Sequence, residues 1–277
     1  MMFPMQDQNV TFLGCGNMGT SLVGGLIADG YPASSLCGVD PDDAQRRRLA
    51  QHCAIHTVAT VAEGVADADI IVLAVKPQTL PAALAEVKQA LQNRSPLVLS
   101  IAAGVRCATI RAALGGVCPV VRAMPNTPAL LRAGASGLYA GADVSAAQRR
   151  SAARIMQAVG VTVWLDEEAL LDTVTAVSGS GPAYFFLIVE LLEKIAVELG
   201  LSEEQARQLS VETALGAARL LKETGAPAAT LRQRVTSPGG TTEQALQVFA
   251  ERGLEELLRQ ALLACRQRSL ELAGPVD

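Results

Sequence analysis

An apolar stretch, Asn9–Gly14, runs straight into Gly14-Cys15-Gly16-Asn17-Met18-Gly19, and a helical pattern, Met18–Asp29, follows and is ended by Gly30. In a GxGxxG of this kind the first glycine permits a tight turn. The second lets a pyrophosphate approach the backbone, and the third lets helix and strand pack closely. The helix start then offers free N–H groups and the positive end of its dipole to an anion. A lone GxGxxG says little. This one stands between a strand and a helix, with an acidic residue, Asp40, about 20 residues further on, as a dinucleotide fingerprint requires. Asp40 suits the hydroxyls of an unmodified ribose and repels a 2′-phosphate, which favours NADH. Arg46, Arg47 and Arg48 follow closely and suit that phosphate, which favours NADPH, and the solvated face of a helix is the plainer reading of the triplet.

The rest of the first half continues the alternation. Leu36–Val39 reads as a second strand closed by Asp40-Pro41, and Ala54–Thr57 as a weak third. Asp69–Val75 is an unbroken buried strand stopped at Lys76-Pro77. Pro96–Ile101, Pro119–Arg122 and Ser136–Ala140 look like three more. Helical segments fit between most of them, so the expectation is βαβ units and a mostly parallel sheet covered on both faces, with Ile70–Val75 near its centre. Past Asp166 strand signals vanish. Glu167–Val177 and Pro182–Leu199 read as helices. Ser202-Glu203-Glu204-Gln205 is a capping box for a helix that Gly225 ends, Thr241-Thr242-Glu243-Gln244 is a second cap signal for a helix that ends by Gly253, and Leu254–Leu272 is a last amphipathic helix. The expected fold is an α/β Rossmann-like N-terminal domain over residues 1–166, followed by an all-α helical domain over 167–277.

Composition narrows the function classes. With 277 residues, two domains are expected. Lys and Arg total 23 against 27 Asp and Glu, so the basic surplus expected of a nucleic-acid partner is missing, and 3% aromatics leaves little for base stacking. The six cysteines form no CxxC, so the expectation is apolar thiols and no metal. A clean apolar run such as Ile70–Val75 is well short of the roughly 20 residues of a membrane span. Met1–Gln8 lacks a basic segment leading into an apolar one, so a cytoplasmic protein with no membrane partner is expected.

Four further segments matter together: Ala74-Val75-Lys76-Pro77, Met124-Pro125-Asn126-Thr127-Pro128, Ser178-Gly179-Ser180-Gly181-Pro182-Ala183-Tyr184, and Val235-Thr236-Ser237-Pro238-Gly239-Gly240-Thr241-Thr242. With Phe12–Gly19, this set closely resembles the pyrroline-5-carboxylate reductase family in order and spacing over about residues 8–272. The resemblance implies hydride transfer from NADPH, or NADH, to the C=N carbon of L-1-pyrroline-5-carboxylate, giving L-proline. It implies dinucleotide contacts at Leu13, Gly14, Cys15, Gly16, Asn17 and Met18, and again at Ala74, Val75, Lys76 and Pro77. Asn126 matches the turn beside the nicotinamide. Ser237, Gly239, Gly240, Thr241 and Thr242 match the substrate loop, with Thr242 the hydroxyl that meets the ring nitrogen and Ser237 its catalytic companion. It also implies a homo-oligomer, at least a dimer, often assembled further into decamers. Where some members carry an Asn near the adenosine phosphate, this chain places Val61.

Read from the residues alone, Pro238–Thr242 is a flexible loop entering a helix, suited either to a small anion such as a carboxylate or to nothing beyond an ordinary helix start. Lys76 lies either in the cofactor cleft or in solvent. The small residues Ser178–Gly181 break a long helix, for close approach of a ligand or of a packed neighbour. His52 and His56 fall after the second strand, on the adenosine side, and read as exposed residues. No histidine is placed to protonate an alkoxide, whereas an imine that arrives protonated needs orientation and exclusion of water more than a strong acid. A β-hydroxyacid dehydrogenase shares this layout but needs a lysine with an asparagine four residues on. Lys194 is followed by Glu198 instead. A non-catalytic nucleotide-binding scaffold is the remaining alternative. The apolar runs Leu187–Leu192 and Leu257–Leu263 exceed what a small bundle buries and mark an interface, unless the first domain covers them.

Overall fold

Short β-branched and apolar runs build the sheet, and helices at 3.6-residue period cover it. The computed structural model describes residues 8–273, so the leading segment up to Asp7 and the closing one from Gly274 lie outside the described residues. In chain order the elements are β1 Val10–Leu13, α1 Asn17–Ala28, β2 Leu36–Val39, α2 Asp43–Cys53, β3 His56–Val58, α3 Val61–Val65, β4 Ile70–Leu73, α4 Leu80–Ala90, β5 Leu97–Ser100, α5 Cys107–Ala113, β6 Val120–Met124, β7 Gly134–Ala140, α6 Ala146–Gln157 and β8 Gly160–Trp164. Helices follow: α7 Leu170–Val174, a π-turn at Thr175–Gly179, α8 Gly181–Glu198, α9 Glu203–Thr224, α10 Ala228–Arg234, α11 Thr241–Glu251 and α12 Leu254–Ala273.

The sheet order is β3-β2-β1-β4-β5-β6-β7-β8, and every neighbouring pair is parallel except β6 with β7. Chain order reverses at the β1–β4 pair, and ligands of open α/β sheets bind outside the strand carboxyl ends at such a switch. β1 and β4 are buried at every position, as strands covered on both faces must be. One core packs Phe12, Ile70, Val72 and Leu99 against α1, α2 and α6. The other packs Leu13, Ile71, Leu73 and Val98 against α3, α4 and α5. The Rossmann-like sheet and the helical second half thus match the expectation.

Two elements escaped the sequence reading. β8 carries the alternation Val161-Thr162-Val163-Trp164 at the edge of the sheet, and its two valines share one exposed face. α10 is a short helix opened by Pro227. Ser202 and Gln205 form the expected capping box, and Gly225 closes α9 at φ +62°. The second cap signal resolves differently. Gly240 is the N-cap of α11 with no side-chain cap, and Glu243 instead accepts a hydrogen bond from Gly239 N–H at 2.7 Å.

The described chain divides into two compact units. One holds the residues up to Ser180 together with those from Cys265 on, and the other is Gly181–Ala264. The closing turns of α12 therefore belong with the sheet: Ser269 Oγ–H donates to Asp172 Oδ1 at 2.7 Å. The helical unit lacks a comparable interior. Neither core cluster draws on Gly181–Ala264, and Phe185, Phe186, Leu187 and Ile188 are each more than half exposed.

Candidate active site

The glycine loop is clamped between two strand ends. Gly14 N–H donates to the Val39 carbonyl and Ala74 N–H to the Leu13 carbonyl, both at 2.8 Å. Gly14 has φ +104°, and a Cβ there would stand 2.8 Å from the Ala74 carbonyl oxygen. A Cβ on Gly19 would stand 2.3 Å from the Gly14 oxygen. Gly16 is different. It is the N-cap of α1 in extended backbone, no side chain caps the helix, and a Cβ there would meet nothing within 4 Å. The loop is therefore tight where glycine serves packing and open where it serves a ligand. An uncapped helix start facing open space fits a pyrophosphate.

Asp40 leaves β2 beside this loop. Its Oδ2 accepts from Cys15 N–H and its Oδ1 from Asp42 N–H, each at 2.9 Å. The arginine triplet is engaged within the protein. Arg46 donates to the carbonyls of Asp40 and Pro41 and pairs with Asp43, Arg47 also pairs with Asp43, and Arg48 donates to Asn17 Oδ1 at 3.2 Å. Ala74 and Val75 are half-buried at the end of β4, and Lys76 and Pro77 are exposed. Val61 packs in the second core. His52 and His56 are exposed, as read from sequence. An open groove of about 530 Å³ lies along α1 between α2 and the turn Thr127–Leu131; of the predicted dinucleotide contacts only Asn17 lines it.

The first unit therefore brings Leu13–Met18, Asp40 and Ala74–Pro77 to one edge of the sheet. Asn126 lies at the exit of β6, 9% exposed, with both ends of its amide engaged: Nδ2 donates to the Ser178 carbonyl at 3.0 Å and Oδ1 accepts from Ala135 N–H at 2.9 Å. Ser237, Gly239, Gly240, Thr241 and Thr242 lie in the helical unit. Gly239 takes φ +72° and Gly240 caps α11, so backbone N–H groups of Thr241 and Thr242 open a helix that no side chain caps; Thr242 itself is half-buried.

Sequence reading missed a charged layer behind β6. Arg122, 5% exposed, reaches Glu168 at 2.7 Å, and the same Glu168 oxygen accepts from Cys107 N–H at 2.7 Å. Arg106 pairs with Asp172 at 3.1 Å. An arginine inside an apolar strand was the available signal, since such a residue is buried only with a partner.

Burial sets the thiols. Desolvation pushes Cys15 and Cys107 up from 9.0 to about 12 and Cys118 to about 11, with Asp40 adding to the shift at Cys15 and Glu168 at Cys107. Below pH 9 both folded and unfolded chains keep these protons. Above it the unfolded thiols ionise first, so stability is lost as pH rises towards 11–12. Denaturant unfolding at rising alkaline pH should show a slope of up to about 1.4 kcal/mol per pH unit for each thiol. Cys118→Ala should flatten that slope by one thiol's share, and an unaltered slope refutes the assignment.

Known proteins share this arrangement along their whole length. A family model described as pyrroline-5-carboxylate reductase dimerisation matches residues 168–272, and one described as NADP oxidoreductase, coenzyme F420-dependent, matches residues 9–104. The pyrroline-5-carboxylate reductase of Pseudomonas aeruginosa is 52% identical over 97% of this chain and 98% of its own. The chain belongs to the pyrroline-5-carboxylate reductase family. A solved family structure from Coxiella burnetii is 43% identical, with a TM-score of 0.93 over 98% of this chain and all of its own. The pyrroline carboxylate reductase of Plasmodium falciparum, solved with NADP bound, is 26% identical with a TM-score of 0.85 over 98% of this chain and 100% of its own. The dimerisation match spans two segments that read ambiguously from residues alone, Ser178–Tyr184 and Val235–Thr242.

Proposed function

We infer that this chain reduces L-1-pyrroline-5-carboxylate to L-proline with NADPH, NADH being the alternative donor. Membership of the family over nearly the full chain carries the reaction. The glycine-lined start of α1 carries the dinucleotide, because it is tight against β1 and β4 yet open at Gly16.

The bound dinucleotide supplies a hydride. The N–H groups of the α1 start would hold its pyrophosphate, with Leu13–Met18 and Ala74–Pro77 as the residues that contact it. Asp40 would meet the adenosine ribose, oriented in advance by the hydrogen bonds it accepts from Cys15 and Asp42 N–H. In the helical unit, Thr241 and Thr242 present backbone N–H groups and a helix dipole to the substrate carboxylate, and Gly239 and Gly240, whose own N–H groups go to Glu243 and to the Ser237 carbonyl, shape the turn before them. Thr242 Oγ orients the ring nitrogen, with Ser237 beside it. A hydroxyl has too high a pKa to be a strong acid, and none is needed: the imine arrives protonated, and hydride addition at carbon leaves a neutral amine. The chain's task is orientation and exclusion of water.

The exposed apolar side chains of Gly181–Ala264 are read as the surface that a second copy covers, giving at least a dimer, with assembly to a decamer as the further step. By length and composition Leu170–Glu198 also passes as a membrane span. Its match to a dimerisation segment favours the subunit interface. All six cysteines are free, which suits a reducing compartment such as the cytoplasm.

Steady-state oxidation of NADPH, and separately of NADH, with pyrroline-5-carboxylate tests the reading. Turnover is expected with at least one, and their ratio reports whether Asp40 or the arginines govern the ribose. Thr242→Ala should lower kcat by about 10²-fold while NADPH affinity is kept. Absence of turnover with either donor discards the reaction, near-normal kcat in Thr242→Ala discards the role of that hydroxyl, and a monomeric mass by light scattering discards the dimer.

A further inference from the structure

The helical run from Leu170 is not regular. At Thr175–Gly179 it widens into a π-turn, with Ser180 N–H donating to the Thr175 carbonyl, five residues back, at 2.8 Å. Such turns are rare and gather at functional sites. Two hydroxyls tend carbonyls around it: Thr175 Oγ1–H donates to Leu171 at 2.8 Å and Ser178 Oγ–H to Val174 at 3.1 Å. Asn126 holds it from outside, through Nδ2 to the Ser178 carbonyl. The other end of the same amide holds the start of β7 through Ala135 N–H. Close packing reinforces both holds. A Cβ on Gly179 would come within 2.7 Å of Met124 Cε, and one on Gly137 within 2.7 Å of Val174 Cγ2. The exit of β6, the start of β7 and the π-turn therefore form one joint with Asn126 at its centre. It lies at the carboxyl edge of the sheet, where ligands bind in this topology.

We propose that Asn126 is a positioning residue: its buried carboxamide pins the π-turn Thr175–Gly179 to the exit turn of β6, and so sets the wall of the cleft beside the reacting end of the dinucleotide without binding the dinucleotide itself. This rests on the reductase reading above. An amide with both ends committed inside the protein is poorly placed to serve as a ligand contact, whereas the Ser178 carbonyl, four residues before Pro182, has no N–H at its usual helical partner and takes its donor from Asn126.

Asn126→Asp separates the two roles. It keeps the shape and the acceptor facing Ala135, and it replaces the donor facing the Ser178 carbonyl with an acceptor. At pH 8, kcat is expected to fall about 10- to 30-fold. KM for NADPH should stay within about twofold, as expected when ground-state binding is untouched. Once protonated, the introduced carboxyl donates again, so the ratio of variant to wild-type kcat should recover by about fivefold or more at pH 5.5. A general folding defect would not recover in that way. Amide hydrogen exchange over residues 175–180 should quicken in Asn126→Asp at pH 8 and in Asn126→Ala, and slow again in Asn126→Asp at pH 5.5 after correction for intrinsic rates. An unchanged kcat, a KM for NADPH raised about tenfold with kcat kept, or unchanged exchange would each overturn the proposal. If the wild type itself turns over no imine, the reductase reading is what has failed. Exchange then decides the joint: faster in the variants supports it, unchanged overturns it.

Discussion

Gly19→Ala is expected to cost this protein its dinucleotide and part of its fold, whereas Gly16→Ala should cost the dinucleotide alone. The two glycines stand three residues apart in one loop. At Gly19 a methyl group would stand 2.3 Å from the Gly14 carbonyl oxygen, and that oxygen cannot retreat, because Gly14 is itself tied to Val39 and pressed against Ala74. The start of α1 must therefore move outward by about 1 Å, a displacement that can cost about 10²-fold where groups must be aligned. Overpacking of this kind also destabilises by about 1–3 kcal/mol. At Gly16 the backbone is extended and a methyl group meets no protein atom within 4 Å, so the fold is unaffected. The methyl group does fill the space through which a pyrophosphate approaches, and a loss of about 10-fold or more in affinity is expected. Calorimetric titration with NADPH, beside thermal unfolding of the free proteins, reads both effects. Equal losses of stability in the two variants would refute the division of labour.

Arg122→Met should lower stability by about 3–5 kcal/mol, because it leaves Glu168 largely buried without its cation. Glu168 would keep its hydrogen bond from Cys107 N–H, which offsets only part of that loss. Glu168→Gln should be at least as damaging, since the charge left unpaired is then Arg122, the more buried of the two. The double variant Arg122→Met with Glu168→Gln should recover part of the loss, as removing both charges of a buried pair generally does. Denaturant unfolding at one fixed protomer concentration is the measurement, because subunit association contributes to apparent stability. A loss below about 1 kcal/mol for Arg122→Met would show that water reaches the pair and screens it.

Much of the fold was legible because its signals are local. The apolar runs at Val10–Leu13 and Ile70–Leu73, the glycines after the first of them, the Ser202 capping box and the Gly225 helix end each act within a few residues. The limit of local reading shows at Thr241–Gln244. The pattern implied a side-chain cap, but Gly240 took the cap position, and the glutamate turned back to Gly239. β8 was missed for a related reason: its alternation is genuine but short, and only pairing with β7 makes it a strand.

The sequence by itself determined that strands and helices alternate, that a dinucleotide-type loop opens the chain, that helices end it, and which family it belongs to. The first three follow from backbone preference and hydrophobic period, which operate over one or two turns, and the family from the resemblance of its motifs. Only the tertiary structure decided the reversed strand β7, the return of α12 to the sheet through Ser269, the pairing of Arg122 with Glu168, and the hold of Asn126 on Ser178. The partners in those last three contacts lie 97, 46 and 52 residues apart in the chain. No local propensity links them. Each forms because a polar group carried inside by its neighbours' burial must find a partner there.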